Sequence, residues 1–441
     1  MSADPPADPA ADTVARGTLI NLATRTAGVA AVLAITAVTA RISTQAQGQF
    51  ALFTSAEAVL VAMFSGFGIV LARRVSHHRE TPRGWLTAMV LACMALGCAA
   101  ALGLALLATR GPPAYAMLWL LALAAPLLLL PANLSGWWLG HGRMTPMARV
   151  ALLPPCLTLL FVAGVFSLGV FRGQGVQPVL ASWVAAKVLL ALALLWVFWR
   201  AARLARPDFA ALRSDTRFIA LIGGTNLISL LNYRVGLFIV ERLLGLSATG
   251  VYSIAVVVAE LLWFVSGSLT QAVYGRIGTP DAARAAATTL RVLHLSLLAL
   301  LLAAPLLGLA AAWIVPRALG PEYSASLLPL AILLPGALLF GGASVLSAYF
   351  TNHAGRPQVP AQVAALSLLL NGALALLLVP RLGAAGAALA ASLAYGCSVA
   401  VLMWRFARHA GLPLLQVLVP GAALRDDVLQ LLRLLQQRPR R

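Results

Sequence analysis

The residues of this chain best suited to chemistry are the few charges that fall inside long apolar stretches: Arg25, Glu57, Lys187, Arg234 and Glu260. An ionisable group at the centre of a bilayer costs on the order of 2.5–3.5 kcal/mol on insertion scales, so such groups face a bundle interior or a wet cavity. There they mark routes for charged cargo, ions or protons. Thr18, Asn21 and Arg25 are spaced to share one helical face, which makes that face a candidate cavity wall. Snorkelling of Arg25 to nearby headgroups is the competing account. Arg234 follows Asn226, Ser229, Asn232 and Tyr233, an unusually polar run for a membrane helix. Lys187 is the only lysine in the chain and lies near the middle of its span, where an ion pair to a buried acid competes with a cargo contact. Glu57 stands nine residues past Gly48 and Glu260 ten past Gly250, nearly matching positions in two halves of the chain. A buried carboxylate either pairs with a cation, as in Arg25–Glu57 or Arg234–Glu260, or takes up a proton or sodium ion during transport. His294 reads as an interfacial histidine. The basic side chains in the spans outnumber the acidic ones, and a mildly cationic lumen suits a diphosphate, because guanidinium matches phosphate oxygens in bidentate geometry.

Catalytic constellations are missing from this inventory. The sequence has no P-loop, no GxSxG, no HExxH and no EF-hand loop. The cysteines Cys93, Cys98, Cys156 and Cys397 all lie in apolar stretches, without a CxxC or Cys/His cluster, so no disulfide framework is indicated. No catalytic residue, metal or cofactor is therefore expected.

The elements that carry these charges are membrane helices. Of the 441 residues, 61% are hydrophobic and only 10% charged, against roughly 25% charged in soluble domains. The apolar runs are about 20 residues or longer, the length that crosses some 30 Å of hydrocarbon. Strand alternation is lacking, which argues against a β-barrel. The net charge of +19 is almost entirely arginine between apolar runs, so it signals membrane orientation and not nucleic-acid binding. Twelve spans are expected, at about 17–40, 50–72, 84–108, 114–140, 147–170, 178–200, 216–240, 248–275, 286–315, 324–350, 358–379 and 384–406. Arginine-rich connections, such as Arg73 to Arg83 and Arg200 to Arg217, alternate with connections holding about one arginine each, such as Arg110 or Arg242. The rich side is read as cytoplasmic, with both termini inside.

The domain reading follows from the same pattern. Residues 1–16 are expected as a disordered cytoplasmic tail, 17–200 as a first lobe of six spans, 201–215 as a cytoplasmic linker and 216–406 as a second lobe of six. Residues 407–441 are expected as a cytoplasmic tail whose apolar positions from Leu424 to Leu435 fall at helical spacing, suited to a helix on the leaflet surface. The lobes look repeated: Gly48-Gln49-Phe50-Ala51 answers Gly250-Val251-Tyr252-Ser253, and His141-Gly142-Arg143 answers His353-Ala354-Gly355-Arg356. With an even number of spans in each, the repeat is a parallel one.

The order of short motifs resembles the polysaccharide-repeat-unit flippases of the multidrug/oligosaccharidyl-lipid/polysaccharide exporter superfamily, over about residues 16 to 406. The resemblance runs through Gly17 to Asn21, Arg41, Gly48-Gln49-Phe50 and Gly66-Phe67-Gly68. It continues through Leu231-Asn232-Tyr233-Arg234-Val235, Gly250 to Ala255, Glu260, Glu322-Tyr323, Gly355-Arg356-Pro357, Asn371 and Gly383 to Ala390. It implies an all-α protein of two six-helix lobes that moves undecaprenyl-diphosphate-linked oligosaccharide to the periplasmic leaflet of a bacterial inner membrane by alternating access. Pathway polymerases and glycosyltransferases are implied partners. The implied central cavity takes in Arg25, Arg234, Asn21, Asn226, Asn232 and Lys187. Glu57 and Glu260 are left for ion coupling or charge pairing. One departure is Gly236, which stands where family members often carry an acidic residue. The alternative reading is a drug or cation antiporter of the same superfamily, coupled to protons or sodium; a membrane enzyme is disfavoured because no loop carries an acidic catalytic cluster.

Overall fold

The computed structural model describes residues 9–78, 83–141, 143–167, 175–201, 205–279 and 281–419. The described residues form helices, with no strand among them. In chain order they are α1 (Pro9–Ile42), α2 (Thr44–Met63), α3 (Gly66–His78), α4 (Arg83–Arg110), α5 (Leu118–Gly140), α6 (Met144–Ser167) and α7 (Gln177–Arg200). Then come α8 (Phe209–Glu260), α9 (Leu262–Ile277), α10 (Ala282–Ala318), α11 (Leu327–Ala348), α12 (Gln358–Leu382), α13 (Ala384–Ala410) and the short α14 (Leu414–Leu418).

Among the described residues, nine stretches are long and apolar enough to cross a membrane, or ten with α2 and α3 joined as one span bent by 42°. One stretch, Phe209–Thr270, runs for 62 residues, far more than the roughly 20 that a bilayer needs. It is interrupted at Gly245, where φ 83° and ψ −179° leave the helical region, and so supplies two spans. With α1, whose described apolar part is Thr26–Ile42, the chain is an all-α polytopic membrane protein of about twelve spans in two six-helix lobes. Side chains such as Leu102, Leu123, Leu306 and Leu369 on its outer faces are exposed, as lipid-facing residues should be.

Short-range chemistry explains where the helices begin and break. Ser43 caps α2 by accepting a hydrogen bond from the Ala46 amide at 3.0 Å, and Asp281 caps α10 through the Ala283 and Arg284 amides. Gly411 ends α13 in the left-handed conformation at φ 66°, the usual glycine stop. Prolines sit inside α5, α6, α10, α11 and α12, tolerated in a membrane because neighbouring groups re-satisfy the freed backbone. The helix α1 starts at Pro9, inside the segment expected as a disordered tail; proline suits a first helical position and the alanines that follow are strong helix formers. The surface helix expected from Leu424 lies outside the described residues.

Two compact units divide the chain, residues 1–230 and 231–441. In the first, α5 is the hub, packed on α3, α4 and α7, while α6 joins α1 to α7. Small residues permit the approach. A methyl group added at Gly136 would overlap the Gly68 carbonyl, and one at Gly97 would meet Pro126; glycine contacts of this kind let membrane helices pack closely. The Asn133 side chain also accepts from the Gly68 amide at 2.8 Å. In the second unit α13 is the hub, packed on α11 and α12, with α10 and α9 beyond α11. The division falls inside α8, past the expected linker at 201–215. The reason is local: before it, α8 packs on α2 and α3, where Gly66 faces the Ile219 backbone and Gly223 faces Met63.

Candidate functional site

Among the described residues, a cation–carboxylate pair lies deep within the spans of each unit. In the first, Glu57 on α2 is buried and pairs with Lys187 on α7. The second carboxylate oxygen accepts from the Trp183 indole Nε1 at 2.6 Å. Trp183 lies one helical turn before Lys187, and the Lys187 ammonium sits 4.2 Å from the centroid of the Trp183 ring. Phe50 meets the same indole edge-on at 5.5 Å. The carboxylate therefore has a partner on each oxygen, and the ammonium has both a charge partner and a π face. Nearer the start of α2, Gln47 is buried and hydrogen-bonded to Thr39 on α1.

In the second unit Arg234 on α8 grips Glu260 with both terminal nitrogens, Nη1–Oε1 at 2.7 Å and Nη2–Oε2 at 3.3 Å. The fork geometry satisfies both oxygens at once. Both side chains keep about a quarter of their surface open, 22% for Arg234 and 25% for Glu260. Aromatic rings of Tyr233, Trp263, Phe340 and Tyr395 pack beside them at 4.7–6.1 Å between centroids. A small cavity bounded by Tyr233, Tyr252, Glu260, Trp263, Asn371 and Tyr395 lies there, of about 20 Å³. That is room for about one water molecule, far too little for an oligosaccharide.

The carboxylates thus occupy matching positions in the two halves, but their cations arrive differently. Glu57 draws its partner from the last span of its half, and Glu260 from the first span of its own. Among the described residues α7 brings Lys187 to Glu57, with Trp183 as a second donor; the Arg25–Glu57 pairing considered from sequence falls on a side chain outside them. The backbone of α1 carries Asn21 and Arg25, whose side chains lie outside the described residues. Asn226 is exposed and donates to Ser65 Oγ at 2.8 Å. Asn232 is fully buried, so it does not line an open face; its carbonyl accepts from Asn371 Nδ2 at 3.0 Å. The Asn232 side-chain amide and Asn371 Oδ1 have no hydrogen-bond partner among the described residues.

Two clusters escape the sequence reading. Trp183 is one, although its i, i+4 spacing to Lys187 is a legible signal. The other is Asp215, which accepts from Arg74 Nε at 2.7 Å and from Trp85 Nε1 at 3.0 Å. Its partners lie over a hundred residues away in sequence, so nothing local announces them. This cluster bolts the start of α8 to α3 and α4 at the arginine-rich end of the first unit. Among the described residues no group of three or more His, Cys, Asp or Glu side chains is placed to hold a metal ion.

No protein-family model and no curated protein matches the sequence. The fold, however, is that of the transporters of the MOP (multidrug/oligosaccharidyl-lipid/polysaccharide) superfamily, and the chain is a multi-pass membrane protein. Solved structures it resembles include an inward-facing multidrug resistance MATE family transporter of that superfamily, at a TM-score of 0.70 and 14% identity, with 90% of this chain and 94% of that one covered. The lipid II flippase MurJ in an inward closed conformation gives a TM-score of 0.72 at 13% identity, covering 91% of this chain and 89% of that one. A MOP-superfamily transporter from Pyrococcus furiosus, described as having a binding pocket of reversed polarity, gives 0.60 at 13% identity, covering 90% and 95%.

Proposed function

We propose that the protein is a flippase that carries undecaprenyl-diphosphate-linked oligosaccharide repeat units from the cytoplasmic to the periplasmic leaflet of a bacterial inner membrane, by alternating access, for surface polysaccharide synthesis. The observation that carries this reading is the retention of arginine and lysine within the spans of a fold otherwise almost free of charge. Lys187 and Arg234 each keep 22% of their side-chain surface open while paired. A paired but reachable cation can exchange a carboxylate partner for a diphosphate, and Arg does so in bidentate geometry. The likeness to a lipid II flippase supports a lipid-linked cargo. Arg25 and Asn21 on α1, with Asn226 on α8, complete the proposed cargo-contacting set; Asn232 is left out of it. The domain limits proposed are a first lobe over 17–200 and a second over 216–406, with both termini cytoplasmic. Polymerase and glycosyltransferases of the same pathway are the proposed partners.

The alternative is a drug or cation antiporter, favoured by the likeness to MATE structures. It asks for a carboxylate that releases its cation, and Glu57 and Glu260 both hold one. Two measurements separate the readings. In the source organism, an Arg25→Ala, Arg234→Ala double variant is expected to insert normally yet abolish surface polysaccharide; undiminished polymer would sink the flippase reading. Purified protein that releases protons on adding an organic cation, with the release lost in Glu57→Gln, would favour the antiporter.

A further inference from the structure

We infer that each six-helix unit carries a binding site for an anionic phospholipid headgroup at its arginine-rich edge, built in the same way in both halves. In the first unit, α7 ends with Trp196 and Arg200, the guanidinium carbon lying 5.1 Å from the indole centre. In the second, α13 ends with Trp404 and Arg408, again at 5.1 Å. Both tryptophans are exposed, 55% for Trp196 and 46% for Trp404. The two pairs stand 208 residues apart in sequence, within the range of the other repeated motifs. The neighbouring helix completes the match. α7 packs on α6, and α13 on α12. Exposed Arg143 immediately precedes α6, while exposed Arg356 precedes α12. Thus each packed pair presents two arginines and a tryptophan at one end.

The chemistry selects the occupant. An exposed tryptophan near a helix end settles at headgroup depth, where its ring is apolar on one side and its N–H is wet. Stacking on the indole holds the guanidinium plane while its N–H edges stay free for a phosphate. No carboxylate among the described residues forms an ion pair with Arg143, Arg200, Arg356 or Arg408. Two arginines around one headgroup favour net-negative phosphatidylglycerol or cardiolipin over zwitterionic phosphatidylcholine, whose own choline cation opposes them. The last-turn position of Arg200 and Arg408 also suits the helix dipole, but the dipole alone does not call for an exposed tryptophan beneath each arginine.

The test is native mass spectrometry of the full chain released from bilayers of equal phosphatidylglycerol and phosphatidylcholine. Up to two tightly held phosphatidylglycerol molecules are expected per chain. Arg200→Gln should remove one and Arg200→Gln with Arg408→Gln both, each lowering the anionic-to-zwitterionic ratio about fivefold, from roughly 1 kcal/mol per surface arginine. These positions are exposed, so folding is checked simply by unchanged thermal melting. Arg110→Gln, at the opposite end of α4, should leave both lipids in place. Equal retention of the two lipids, or anionic lipid retained by the double variant, would overturn the inference. Neither result bears on the cargo, since none of these residues belongs to the proposed cargo-contacting set.

Discussion

At the scale of the residue, the informative contrast is between two carboxylates with the same place in a repeat and different surroundings. Glu57 is 7% exposed and has a donor on each oxygen, whereas Glu260 is 25% exposed and lines a small cavity. Removing one partner of a buried pair leaves an uncompensated charge, a loss of about 3 kcal/mol or more. Glu57→Gln keeps a hydrogen-bond acceptor for Trp183 but strands the Lys187 ammonium. It should lower the apparent melting temperature in detergent clearly more than Glu260→Gln does. Glu57→Gln combined with Lys187→Met should recover part of that loss, because the stranded charge is gone. A double variant no better than the single would show that the pair is not what Glu57 contributes. The charged positions themselves were legible in the sequence, since a charge in an apolar run stands out. Their partners were not: Lys187 is 130 residues from Glu57, and only packing decides which of several cations reaches it.

The helices make a different kind of demand, for closeness. α5 lies against α3 with Gly136 facing the Gly68 carbonyl, and the atoms nearest an added methyl are all Gly68 backbone. Gly136→Ala has no flexible side chain to push aside, so the helices must separate and apolar contact along α5 is lost. Expression and melting temperature are expected to fall, by about 2 kcal/mol or more of stability, in the range of overpacked cores. Gly164→Ala is the control: nothing lies within 4 Å of an added methyl, and alanine in a helix is about 0.5–1 kcal/mol better than glycine. Thermal melting of the two variants should therefore move in opposite directions. At Gly245 the requirement is conformational, since φ 83° strains any residue with a Cβ. That glycine turns what would be one 62-residue apolar stretch into two spans, and its place between the expected seventh and eighth spans was readable from Arg242 and the loss of apolar character nearby.

For the whole molecule, the packing boundary and the loop boundary differ. The loop before Phe209 separates the halves in sequence, yet the first turns of α8 belong with the first unit. Asp215 with Arg74 and Trp85, and Asn226 with Ser65, hold them there. Co-expressed fragments 1–205 and 206–441 should accordingly co-purify. The yield of the complex should drop when Asp215→Ala and Arg74→Ala are combined, as two charge-assisted contacts disappear. Fragments that never associate would argue against this division of α8.

What the sequence determined by itself is the class of the protein. Span length, the scarcity of charge and the alternation of arginines follow from the bilayer, which imposes the same thickness and polarity on every segment. Hence the twelve spans and the two repeated halves could be read from one chain, and the unusual residues within them could be named. The tertiary structure decided the pairing. It gave Lys187 to Glu57 and Arg234 to Glu260, buried Asn232 against α12, and attached the start of α8 to the first unit. Those outcomes depend on which helices touch and at what rotation, and in an apolar solvent that choice is made by close packing of small residues and by hydrogen bonds between distant segments. Neither leaves a periodic trace in the sequence.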